Sequence, residues 1–459
     1  MQSYNILAYG ADHTGVSLST DALQTAIEVC AASGGGEVII PEGTFLTGDV
    51  LLRDNVTLHL LSGASLIGSR DPMEYFHYRK LYELPSDDIS DEPWTRQSIG
   101  ESDKHIKSRI RTPGARWNNA IIRGLYAKNI AVIGDEGSVI DGNNTYDEFG
   151  EENYRGPHGM TFFGCEGVTL SGYTIKNTGN WAHNVNNTRN VTVDGITALA
   201  GHDGIHMSMC ENITIKNSGF YTGDDCIAGF ANVNVLVTDC ELNSACSAFR
   251  FGGTNMVARN CHIFAPARYC FRGGMSKEDK AASTPSVSGA DAEAKGLRTN
   301  MLSAFTYYSD YSLIINEEPG NIIIRDCKIE MADRFLHYNY SGNERWQANR
   351  PLASITFENI DAKDISMPLN AYGDTNTKVA LKLKNISISV REGAELQALV
   401  HACNYDRIEI DGLHLEGFKG DTLVRTWSPD DKTEINNVSG DVPTDTVKEA
   451  TEPFFAKAI

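Results

Sequence analysis

The sequence lacks any run approaching the 18 consecutive apolar residues of a membrane-spanning helix, so no helical span is expected. Its ten cysteines form no CxxC pair and no Cys/His spacing of a zinc site. The N-terminus, "MQSYNILAYGADHTG", has no basic region followed by an apolar one, and so reads as free of a secretory leader. A chain that had lost its leader would read the same way. Without a leader, a disulfide framework is out of keeping with 459 residues, and a reducing, cytoplasmic setting is expected. Basic charge is scarce too: 40 Lys and Arg face 60 Asp and Glu, a net charge of −20. That excludes nucleic acid, which is bound by neutralising phosphates. It also means that an acidic substrate needs a local cationic pocket against the field of the whole molecule. What is present, 41% hydrophobic and 22% charged residues, is ordinary for a soluble globular chain.

The chain repeats itself. "GVTLSGYTI" (167–175), "NVTVDGITA" (190–198), "NITIKNSGF" (212–220), "NVLVTDCEL" (234–242) and "NMVARNCHI" (255–263) start 23, 22, 22 and 21 residues apart. "NIIIRDCKI" (321–329), "SITFENIDA" (354–362), "VALKLKNISI" (379–388) and "RIEIDGLHL" (407–415) continue the series. "NVTLHLLSGASLIG" (55–68) and "NIAVIGDEGSVIDG" (129–142) precede it. Each unit alternates apolar and polar residues in short β-branched runs, with Gly, Asn or Asp at the bends. A period in the low twenties with two or three strands is one coil of a parallel β-helix. Coils stack at the strand spacing, about 4.8 Å, so residues one period apart form ladders. Cys240, Cys261 and Cys327 share one repeat position, filled elsewhere by Ser218, which predicts an interior ladder of small apolar groups. Asn190, Asn212, Asn234, Asn255 and Asn321 predict a second ladder at the turns. The chain is therefore expected to be a single all-β domain over 1–459.

A solenoid end exposes strands and core unless covered. Residues 18–33 supply an amphipathic helix with Leu23, Ala26, Ile27 and Cys30 on one face, capped by Asp21 with Gln24 and ended by "SGGG". Two stretches break the rhythm and read as loop insertions near the cleft. They are 70–118, with Trp94 and Trp117, and 275–312, which ends in "FTYYSDY". Residues 440–459 read as a C-terminal tail.

"FYTGDDCIAGF" (220–230) sets two aspartates side by side between apolar ends. In a straight strand one of them would face the core, at a cost of several kcal/mol when unpaired. A bend at "TGDD" resolves this by turning both outward. Asp203, in "AGHDGIHM", lies 21 residues earlier, one coil below Asp224 and Asp225. Three such acids repel one another and raise at least one pKa. An inverting glycosidase needs such a set, a protonated carboxyl facing carboxylates that hold a water, about 6.5–9.5 Å apart. Gly-Asp at an ordinary turn is the plainer reading, but the stacked third acid speaks against it. Calcium would also gather carboxylates, but the further oxygen ligands at fixed offsets are missing; no metal or cofactor is expected. Arg250 and Arg272 lie one and two coils above the acids, and their guanidinium groups suit the carboxylates of the protein or of a uronate. Trp181, Tyr307, Tyr308, Tyr338, Tyr340 and Trp346 offer flat faces to sugar rings. His202, beside Asp203, joins the binding candidates.

At these residues the chain resembles the polygalacturonase family of glycoside hydrolases, family 28. The likeness begins at "YGADHTGVSLSTDALQTAIEVCAASGGGEVIIPEGTFLTGDVLLRDNVTLHLLSGASLIGS" and runs through "VIDGNN" and the repeats. The family's motifs are NTD, G-DD-C-I-A, GHG and RIK. "TGDDCIA" matches the second; Gly201-His202-Asp203 keeps the aspartate of the first; Ala245-Cys246-Ser247 has cysteine for the histidine of the third; Arg272-Gly273-Gly274 keeps the arginine of the fourth. The resemblance implies a right-handed parallel β-helix with Asp224 as general acid and Asp203 and Asp225 activating water. It also implies that Arg272 and Tyr340 contact the sugar. Arg250, four residues beyond Cys246 and so on the same strand face, is expected to take over part of the role of the missing groups. The expected activity is inverting, exo-type hydrolysis of α-linked, galacturonate-containing oligosaccharides by a monomer or dimer, with no nucleic-acid or membrane partner. A polysaccharide lyase or uronate epimerase on the same scaffold, or a non-catalytic glycan-binding β-helix, are the rival readings. Product chemistry separates them.

Overall fold

The computed structural model describes residues 2–76, 116–150, 154–286, 289–309, 319–340, 347, 350–427 and 432–450. They form two compact units, one made of Met1–Asp224 with Tyr269–Arg298, the other of Asp225–Arg268 with Thr299–Ile459.

In the first unit the strands pair in parallel from coil to coil. Ile130 lies opposite Val168, Val168 opposite Val191, and Val191 opposite Ile213, all in the core. Alternation along each strand sends one face inward, and burying each aliphatic side chain contributes about 1.5–3 kcal/mol. At the turns Asn129 donates to Asn55 (3.1 Å) and Asn212 to Asn190 (3.3 Å), and all four have positive φ. Asn tolerates this left-handed conformation better than most residues, so the expected turn ladder is a backbone requirement as well as a hydrogen-bonded one.

The helix, Thr20–Ala32, buries Leu23, Ala26, Ile27 and Cys30 completely. Its capping differs from expectation. Ser19 is the N-cap without a capping hydrogen bond. Gln24 turns inward, donating to the Leu51 carbonyl (3.0 Å) and accepting from the Leu51 N–H (2.8 Å). The Gln24 amide thus stands in for the next strand, satisfying backbone groups that the terminal coil leaves open.

The second unit repeats the scheme with the column Met256, Ile322, Ile355, Leu381, Ile408. Cys240, Cys261 and Cys327 are buried in one ladder, the Cys261 N–H reaching the Cys327 sulfur at 3.4 Å. Ile360, Ile386 and Leu413 continue the same position, so what the site demands is a compact apolar group. All ten cysteines are free thiols.

Two expected boundaries move. The stretch 275–312 is not one loop, because Met301–Tyr307 is a strand paired with Ser247–Arg259. Asn300 directly precedes this strand, the residue type that opens several of the repeats. Likewise the tail 440–459 contains a strand, Asp445–Glu449, paired with Thr422–Thr426, although its exposed alternation hides it. Of the 70–118 insertion, residues 77–115, with Trp94, lie outside the described residues, as do 287–288 and 310–312 of the other and Trp346.

Candidate active site

In the first unit the strand Thr197–Ala200 pairs with Gly219–Thr222, Ala200 opposite Thr222. Each strand leaves the ladder in a bend, "GHDG" and "TGDD", as expected for adjacent aspartates. The bends lie on neighbouring coils. The Gly223 N–H donates to the Ala200 carbonyl at 2.9 Å, and the Arg272 N–H to the Gly201 carbonyl at 2.8 Å. Gly223 is required by closeness, since a Cβ there would lie 1.9 Å from the Cys270 carbonyl oxygen.

Asp203 is buried and accepts from His206 Nδ1 at 2.8 Å. The His206 ring stacks on Trp181 with centroids 3.8 Å apart and planes 2° from parallel. Trp117 stands edge-on to Trp181 at 5.1 Å, and His158 lies 5.5 Å from Trp117 and 5.3 Å from Trp181. Burial, then the Arg155 charge, push His158 well below the ordinary histidine range, so it is a neutral member of this aromatic cluster. On the other bend, Asp224 Oδ2 is 3.9 Å from Arg155 Nη2, both side chains being largely buried. Arg155 also donates to Asn180 Oδ1 (3.1 Å) and lies over the rings of Trp117 (5.7 Å) and Phe271 (5.9 Å).

From the interior, His183 Nδ1 donates to the Gly204 carbonyl at 2.8 Å, and its Nε2 accepts from the Tyr173 hydroxyl at 2.9 Å. A carbonyl only accepts, which sets this tautomer. Burial lowers His183 to about 4, so it is neutral at ordinary pH.

The remaining expected residues of this unit are placed differently from one another. His202 is 2% exposed, edge-on to Phe271 at 5.7 Å, and pushed well below the histidine range by burial and by Arg155 and Arg272. Arg272 is buried, donating to the carbonyls of Thr284 (2.6 Å) and Asn144 (3.3 Å). Burial lowers it to about 10, still a cation at neutral pH. One face of Trp181 is already taken by His206.

In the second unit, Asp225 is buried with Oδ2 3.6 Å from Arg250 Nη1. Arg250, its side chain 27% exposed, lies over the Tyr308 ring at 4.9 Å, and Phe230 meets Tyr308 edge-on at 5.1 Å. Tyr340 is half-buried, 6.4 Å from Tyr338. Cys246, in the motif position of a histidine, is half-buried and donates its N–H to Ser244 Oγ at 2.7 Å.

Sequence reasoning missed His206, Arg155 and His158. A signal for His206 existed: Arg123, Thr161, Asn184 and His206 stand opposite one another on successive strands, a polar column among apolar positions. Arg155 carried none, because it lies at an isolated antiparallel bridge to Tyr146, outside the repeat.

A bend bearing an acid beside another on the next coil, each acid in contact with a basic side chain and flanked by aromatic rings, describes a carboxylate-centred site on a parallel β-helix. Residues 101–248 match the model of glycosyl hydrolases family 28. Over 237 residues the chain is 26% identical to a probable polygalacturonase of Vitis vinifera, covering 49% of this chain and 44% of that one. It is 28% identical over 251 residues to an exo-poly-alpha-D-galacturonosidase of Dickeya chrysanthemi, covering 49% and 41%. The chain thus spans about half the length of the curated relatives it matches. The structure of a family 28 exopolygalacturonase from Yersinia enterocolitica superposes with a TM-score of 0.60 at 17% identity, over 96% of this chain and 79% of that one. The fold is accordingly the right-handed parallel β-helix. The chain is thus similar to glycosyl hydrolases family 28 over residues 101–248 and polygalacturonase-like over about half its length.

Proposed function

We propose that the protein is a glycoside hydrolase that cleaves α-linked, galacturonate-containing oligosaccharides with inversion of configuration, acting from chain ends. The observation that carries this reading is the stacking of the Asp203 bend on the Asp224 bend, with Ala200 opposite Thr222 on neighbouring coils. Asp224 protonates the leaving glycosidic oxygen, while Asp203 and Asp225 hold and deprotonate the water that attacks the opposite face of the sugar. Arg155, beside Asp224, and Arg250, beside Asp225, supply the local cations that a uronate needs against a net charge of −20. The relatives named for galacturonosidase and exopolygalacturonase activity support the substrate class and the exo mode. Loss of a general acid costs on the order of 10²–10⁴ in rate. Asp224→Asn is therefore expected to abolish saturated reducing products from a panel of oligogalacturonides, rhamnogalacturonan fragments and neutral α-linked oligosaccharides, read by mass spectrometry. Unsaturated products absorbing in the ultraviolet, or turnover indifferent to the substitution, would refute the reading and favour a lyase or another centre.

A further inference from the structure

Resting on that reading, we infer that His206 is the positioning residue for Asp203, holding its carboxylate in the one orientation that serves the attacking water. An ionised carboxylate only accepts, so the 2.8 Å contact means that His206 Nδ1 carries the proton and points it at Asp203 Oδ2. The imidazole plane is set independently of Asp203 by the Trp181 face, 3.8 Å away and 2° from parallel. Trp181 is in turn braced edge-on by Trp117 and flanked by His158. Behind the bend, Gly204, the residue after Asp203, is moored by His183 and Tyr173. The backbone of the bend is therefore held from inside the coil and the carboxylate from outside. Such support is what a reacting group needs, because productive geometry tolerates displacements of only about 0.5 Å and 10–20°.

Two substitutions separate positioning from packing. His206→Phe keeps a flat ring for Trp181 and removes the donor. His206→Asn places an amide N–H near the Nδ1 position and removes the stack. Kinetics on the oligosaccharide that wild type cleaves best are expected to show kcat reduced about 10- to 100-fold in His206→Phe, the worth of one charge-assisted hydrogen bond, with KM within about threefold. His206→Asn should recover most of that loss. The reverse order, with Asn slower than Phe, would mean that His206 serves packing alone and would overturn the inference. So would His206→Phe at wild-type kcat. If His206→Phe does not fold, by thermal unfolding followed through tryptophan fluorescence, His206→Asn decides alone: kcat as low as in Asp203→Asn overturns the inference. Wild type inert on every sugar removes the hydrolase reading and this inference with it, whereas an Asp224→Asn variant that is dead beside an unaffected His206→Phe removes only the inference.

Discussion

Gly223 offers a sharp test of how tightly the "TGDD" bend is set. A methyl group added there would lie 1.9 Å from the Cys270 carbonyl oxygen, 2.4 Å from its carbon and 2.6 Å from the Gly201 carbonyl oxygen. All three are backbone atoms, so no side-chain rotation relieves the collision. Real Cβ contacts essentially never fall below 3.0 Å, and the bend must therefore move by about 1 Å or more. That movement loosens the 2.9 Å hydrogen bond from Gly223 to Ala200 and carries Asp224 with it. Overpacking of this kind costs about 1–3 kcal/mol. For a chain this long, with an unfolding entropy of roughly 2 cal/mol/K per residue, that shifts Tm by only about 1–3 °C. A displacement of about 1 Å at a reacting group costs about 100-fold in rate. Gly223→Ala should thus fold, melt within a few degrees of wild type and lose about two orders of magnitude in kcat on the preferred oligosaccharide. Gly137→Ala is the control. Its φ of +81° strains any Cβ by about 1–2 kcal/mol, but nothing lies within 4 Å, so stability falls and activity does not. If Gly223→Ala retains wild-type kcat, the bend does not set the position of Asp224 and the geometric argument fails.

Two further predictions concern stability. His183 and His401 are both lowered to about 4, His183 through burial and His401 through burial and then the Arg425 and Arg334 charges. Each is neutral in the folded chain and takes up a proton near pH 6.5 once unfolded, so the stability present above pH 6.5 is lost as the pH falls towards 4. For fully buried His183 the loss reaches about 3 kcal/mol, and urea titrations at pH 7 and pH 4.5 should give a lower midpoint in acid that His183→Gln diminishes; equal midpoints at the two pH values would contradict this. Arg123, fully buried, pairs with buried Asp49 at 3.2 Å and donates to Asn118, Tyr75 and Asn119. Arg123→Met strands a buried carboxylate and several acceptors, and should cost about 3–5 kcal/mol by the same titration.

The repeat was legible because every coil answers to one rule. Strand hydrogen bonds at a fixed spacing force position i onto position i plus one period. The Asn turns, the Cys240–Cys261–Cys327 ladder and the bend at "TGDD" all follow from that rule, and all stand in the structure. The periodicity misled at Met301–Tyr307 and Asp445–Glu449, each a strand that pairs with the coil before it inside a stretch that otherwise breaks the rhythm. The Gln24 amide did the same at the helix, since its partner at Leu51 is 27 residues away and no local pattern encodes it.

The sequence by itself determined the coil, its ladders and the acids carried on neighbouring bends, because these depend on distance along the chain. The companions of those acids were decided by tertiary structure. Arg155 reaches Asp224 from a bridge outside the repeat, held between Trp117 and Phe271, which are 38 residues before it and 116 after it along the chain. Arg272, expected from a motif to contact the sugar, donates to the backbone carbonyls of Thr284 and Asn144. Side chains that leave a solenoid in loops are placed by packing against one another, and packing has no period to read.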